Sequence, residues 1–170
     1  MKYLIFILTA ISFLAIQSCD RLPNDCDCDQ DITAEVTNFT DCKNDQTELF
    51  FDGYDKTTTA IEYTYDESTK SLMLRHINAN FNCCPGKIYC GFEIDDNVIV
   101  VQELSEKEDC RCICLYDVDF LLNNVEKGIY TIAIKELYIE EALWLQFDID
   151  LNESTSGVFK QTREFYPWGV

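Results

Sequence analysis

Three cysteines, Cys110, Cys112 and Cys114, alternate along one short stretch of this chain, and that spacing leaves few folds open. Successive side chains of an extended segment point to opposite faces, so the three sulfurs share one face. Neighbours on that face sit about 7 Å apart, too far to bond to each other without distortion. Each needs a partner from another strand or loop, and Cys83, Cys84 and Cys90 are the nearest supply. Cys83 and Cys84 would face opposite ways in a regular strand, so Pro85 and Gly86 are expected to bend the chain there. Six cysteines allow about 15 connectivities, and spacing does not choose among them.

The N-terminus indicates the compartment. Lys2 is the only charged residue before Asp20, and Tyr3 to Ile16 is apolar apart from Thr9 and Ser12. That is the charge pattern of a secretory signal peptide, here residues 1–18, and it stops well short of the about 20 apolar residues a spanning helix needs. Ile16-Gln17-Ser18-Cys19 resembles the lipobox of bacterial lipoproteins, which predicts cleavage before Cys19 and lipidation of that cysteine. Each buried acyl methylene then contributes about 0.8 kcal/mol to membrane attachment. Residues 19–31 are acidic and turn-forming, as expected of a solvated tether. They resemble the acidic stretches behind the lipidated cysteine of surface-exposed Bacteroidota lipoproteins. The alternation of Asp25, Asp27, Asp29 and Asp31 suggests a calcium loop, but Gln30 stands where the turn needs glycine and Val36 where a bidentate glutamate is required. The expected location is the cell envelope, as an outer-membrane lipoprotein displayed at the surface.

With Cys19 committed to lipid, nine cysteines remain, and an odd number leaves one unpaired within the chain. Cys26 or Cys28 bonded to Cys42 would pin the tether to the domain. The odd thiol is expected among these three.

Residues 32–170 suffice for one domain with a substantial core, and their pattern is β. Ile61, Tyr63 and Tyr65 share a face opposite Glu62 and Thr64, the period of a half-buried strand. Ile88, Cys90, Phe92 and Ile94 alternate in the same way, as do Leu143, Leu145, Phe147, Ile149 and Leu151. Val98 to Val101 is apolar on both faces, as in a central strand. Residues 66–70 and 95–97 are polar joints short enough for hairpins, and no convincing helix competes. Val125 to Ile132 resembles the corner of immunoglobulin-like and fibronectin-like sandwiches, in which Tyr130 would bond back to the chain and Ile132 and Ile134 would point inward. The expected fold is an antiparallel β-sandwich of that kind, with disulfides.

Charge and residue supply narrow the chemistry. With 31 acidic residues against 13 basic ones, the net charge is -18, which repels phosphate backbones and argues against nucleic-acid binding. His76 is the only histidine, so hydrolase triads lack parts, and a surface or hydrogen-bonded role is expected of it. Asp117/Asp119 and Asp148/Asp150 are spaced as strand neighbours on an expected solvent face, where solvation accounts for them without glycosidase chemistry. Phe165-Tyr166-Pro167-Trp168 reads as a final segment closing over the core, the alternative being an exposed aromatic platform. No Cys-x-x-Cys is present for a thiol oxidoreductase. Cys83, Cys84 and two of the alternating set have the number for a zinc-thiolate site, without its usual knuckle spacing.

Asn80-Phe81-Asn82-Cys83-Cys84-Pro85, followed by Cys110 to Val118 and Gly128-Ile129-Tyr130, resembles an uncharacterised family of small Bacteroidota lipoproteins. The resemblance covers roughly Ser71 to Glu136, and Cys90, Cys26, Cys28 and Cys42 lie outside its pattern. It implies a secreted, anchored β domain and supplies no catalytic residues. The combined expectation is a non-enzymatic binding or structural module without a cofactor. Its partners would be the membrane, through Cys19, and an envelope protein or glycan. The competing class is a thiol-redox or metal-thiolate protein built on the Cys83–Cys114 cluster.

Overall fold

A computed structural model describes residues 31–43, 54–107 and 110–163. Among them nine strands follow in order: β1 (Thr33–Phe39), β2 (Thr58–Asp66), β3 (Ser71–Asn82), β4 (Ile88–Asp95), β5 (Val98–Ser105), β6 (Ile113–Asn123), β7 (Ile129–Lys135), β8 (Leu145–Asp150) and β9 (Ser156–Thr162). The only helical element among these residues is a short 3-10 turn over Glu141–Leu143. One sheet has the order β1-β6-β3-β2-β9, the other β4-β5-β7-β8, and together they form the expected all-β sandwich. Residues 1–30, which hold the expected signal peptide, Cys19 and most of the expected tether, lie outside the described residues.

The two-residue period builds the core. Ile61, Leu72, Leu74, Val118, Phe120 and Leu122 of the first sheet face Ile88, Ile99, Val101, Ile132, Ile134, Leu145 and Ile149 of the second, all buried. β5 is the central strand that its two apolar faces predict, with β4 on one side and β7 on the other. One pairing differs from the expected antiparallel sheet, since β5 and β7 run parallel. The chain leaves β5, crosses to the first sheet as β6, and returns, so β7 re-enters in the direction of β5; a hairpin cannot make that connection. The predicted run from Leu143 to Leu151 forms a strand only from Leu145, and Leu143 is exposed in the 3-10 turn.

A bulge in β3 sets up the site. Pairing with β6 shifts register between His76 and Ala79, and Asn78 adopts a positive φ of 63°. The extra residue flips the alternation. Leu72, Leu74 and His76 point inward before it, Ala79 and Phe81 after it, and Asn78, Asn80 and Asn82 take the other face.

The two ends of the sandwich differ. At one, short turns join β2 to β3, β4 to β5, β6 to β7 and β8 to β9. Asp66 caps its turn through Ser68, and Asp96 supplies the positive φ of 52° that a two-residue hairpin needs. The expected corner is there: the Tyr130 hydroxyl donates to the Glu126 carbonyl at 3.0 Å, and the Tyr65 hydroxyl to the adjacent Val125 carbonyl at 2.8 Å. The longer connections gather at the opposite end.

Candidate functional site

The cysteines lie at the long-connection end. Cys42 bonds Cys114, Cys83 bonds Cys112, and Cys84 bonds Cys110, with Cα separations of 5.6, 5.5 and 5.6 Å that suit bridging. Cys83 and Cys84 thus supply partners to the alternating set as expected, helped by the bend at Pro85 and Gly86, where Gly86 has a φ of 64°. Three expectations need correction. β6 begins at Ile113, so Cys110 and Cys112 lie in the segment entering it and only Cys114 is in the strand. Cys42 is not the tether's partner, because the bridge between Lys43 and Leu115 brings its segment alongside β6 and places it at Cys114. The unpaired thiol among the described residues is Cys90, which packs against the core from β4 while the ladder sulfurs are bonded to one another. Burial first, then the charges of Glu35 and Glu103, push that thiol up to about 11, so it is protonated and a poor nucleophile at neutral pH. Cys26 and Cys28 lie outside the described residues.

Asn82 organises the ladder. Its side-chain oxygen accepts from the backbone N–H groups of Cys84 at 2.9 Å and Cys110 at 3.3 Å, while its amide donates to the Cys110 carbonyl at 2.5 Å. One buried amide therefore ties the loop after β3 to the loop before β6, bringing two half-cystines of each together. The sequence motif shows an asparagine there; the flip at the bulge is what aims it at the loops.

A second cluster crosses the core at the same end. His76 is fully buried, its Nδ1 2.5 Å from Glu103 Oε1 and its Nε2 2.8 Å from the Thr59 hydroxyl. Glu136 Oε1 lies 3.9 Å from Nε2, and Arg163 donates to Glu136 Oε2. Of the two roles expected for His76, the hydrogen-bonded one holds and the surface one does not. Glu103 and Glu136 escaped the sequence reading, yet their strands carried a signal. Ile99, Val101 and Glu103 share the inward face of β5, as Ile132, Ile134 and Glu136 do on β7 and its continuation, so a carboxylate ends each apolar row. The parallel pairing ends at Gln102 with Lys135, and its next step sets the two carboxylates side by side. Glu103 also stands opposite Cys90 in the β4–β5 pairing.

Asp117 corrects another expectation. It is buried rather than solvated, because Lys43 Nζ sits 2.6 Å from its Oδ1 and the Asn78 backbone N–H donates to the same oxygen at 3.1 Å. The carboxylate thereby holds the bulge in place, with Arg75 at 3.4 Å from its other oxygen. Asp148 is exposed and accepts from Thr131 at 2.7 Å. Phe165 to Trp168 lie outside the described residues. Among the described residues no three His, Cys, Asp or Glu side chains group to hold a metal ion. No family model, curated protein or solved structure matches this chain.

Proposed function

We propose that the chain is a lipid-anchored cell-envelope protein of the outer membrane, whose β-sandwich serves as a non-catalytic binding or structural module. The observation that carries this reading is the ladder of three disulfides joining three segments at one end of the fold. Cross-linking of that density belongs to an oxidising compartment. The signal sequence and Cys19 lipobox give the chain a route there, and the resemblance to small Bacteroidota lipoproteins is in accord. The described chain begins at Asp31, whose carbonyl accepts from Asn124 at 3.1 Å, so the sequence before it joins the short-turn end. On a tether anchored at Cys19, the disulfide-linked end is free to face outward and meet an envelope protein or glycan.

The redox reading has one observation in its favour, the exposure of Cys84 and Cys112. Against it stand the engagement of all six ladder sulfurs and the raised thiol of Cys90. The decisive experiment is on the anchor. Cys19→Ala should accumulate as unprocessed precursor and incorporate no labelled fatty acid; normal labelling of that variant would overturn the reading.

A further inference from the structure

His76 is fully buried with a carboxylate near each ring nitrogen: Nδ1 lies 2.5 Å from Glu103 Oε1, and Nε2 lies 3.9 Å from Glu136 Oε1. The Thr59 hydroxyl, 2.8 Å from Nε2 and 3.3 Å from the Ile77 carbonyl, can give its one proton to the carbonyl and accept from the ring. That arrangement suits a ring protonated on both nitrogens. We propose that His76 is held as a buried imidazolium, and that this ring is the bolt of a pH-sensitive clasp between the two sheets, closed at neutral and acidic pH and released in alkali.

The surroundings suit a cation. Around the ring stand Glu103 from β5, Glu136 beyond β7, Arg163 beyond β9, the Cys90 thiol from β4, Thr59 from β2, and apolar Val118 from β6. Two cations then balance two carboxylates. Loss of the ring proton leaves one uncompensated carboxylate where Glu103 Oε2 and Glu136 Oε1 are already buried with no hydrogen-bond partner. That charge is costly where it is buried and weakens the tie from β3 to β5. Burial pulls the ring's pKa down, but Glu103's charge and hydrogen bond, with Glu136, outweigh it and hold the ring above its ordinary 6.5. Glu136 is also raised, by burial first; Glu103 adds to this, while His76 and Arg163 oppose it. A raised native pKa stabilises fully below the unfolded value, and the benefit is lost as pH rises through the native one. Both groups therefore act in the same direction.

His76 is the only histidine, so nitrogen-resolved NMR of the oxidised full-length chain reads its ring without ambiguity. Both nitrogens should be protonated at neutral pH, with a single midpoint above 6.5. Amide protection of Ile132–Glu136 and the melting temperature should fall across the same pH range. Glu103→Gln keeps the shape, removes the charge, and should lower the midpoint by about one pH unit or more. A neutral ring at pH 7 overturns the proposal, as does a midpoint crossed with no change in protection. Should the variant not fold, the titration of the native chain decides alone.

Discussion

The two ends of this sandwich are closed by different chemistry. At the short-turn end the connections are held by their own hydrogen bonds: Asp66 and Asp150 cap turns, and two tyrosine hydroxyls hold the segment between β6 and β7. At the other end the chain makes its longest connections, between β1 and β2, β5 and β6, and β7 and β8, beside the shorter loop from β3 to β4, and three disulfides cross this end. A tight turn orders few residues and can satisfy its own backbone groups. A long loop has more conformational entropy to lose, and a covalent link removes part of that cost from the unfolded chain. Disulfides therefore stand where the strand pairing supplies least order.

Reduction should break this contrast most severely. Each bridge contributes about 2–4 kcal/mol by loop closure, so the three together are on the scale of a domain's whole stability of about 5–15 kcal/mol. The reduced protein should melt tens of degrees lower. Hydrogen exchange below that transition should show protection lost first around Asn80–Lys87 and Cys110–Leu115, while Tyr65 and Val125 stay protected. Mapping of the oxidised protein should recover the Cys42–Cys114, Cys83–Cys112 and Cys84–Cys110 links, with Cys90 alkylated after unfolding. An unchanged melting temperature on reduction would show that the ends do not differ in this way.

Asn82→Ala is a smaller perturbation at the same end. It leaves the backbone N–H groups of Cys84 and Cys110 without their acceptor. Unsatisfied buried groups cost about 1–3 kcal/mol each, and partial solvation of these loops should bring the total loss to about 2–3 kcal/mol in urea unfolding. Because the amide sets Cys83 and Cys84 opposite Cys112 and Cys110, oxidative refolding should also yield more mispaired product. Correct pairing at native yield would mean that the loops find their register without it.

Much of the architecture was legible in the sequence, because period-two patterning is a local signal. Ile61 to Tyr65, Ile88 to Phe92, and Val98 to Val101 lie in strands as read, and Tyr130 forms its corner bond. What escaped depended on contacts between distant segments. No local feature brings Cys42 beside Cys114, 72 residues away. The parallel β5–β7 pair follows from the path of β6 through the other sheet. The buried charge row was partly readable, since Glu103 and Glu136 each occupy an inward place at the end of an apolar run, whereas Arg163 joins it only through the position of β9. The bulge could be suspected where Leu72-Met73-Leu74 gives way to Ala79-Asn80-Phe81, an alternation of opposite parity.

Tyr130→Phe probes the short-turn end and should have the smallest effect. The hydroxyl makes one bond to the Glu126 carbonyl, in an exposed setting where water can replace it. A net loss of about 0.5–1.5 kcal/mol is expected, toward the lower figure, without change in the urea m-value or the disulfide map. Tyr65→Phe removes the neighbouring bond to Val125, which is buried, and should cost more within the same range. Both hydroxyls hold one turn, so the double variant tests whether they act as a unit. Once either bond is gone the turn can shift and weaken the other, and the combined loss should then be smaller than the sum of the two single losses. Strict additivity would mean that the turn is held in place without them, by its backbone bonds alone, such as that from Val125 N–H to the Lys70 carbonyl at 2.9 Å.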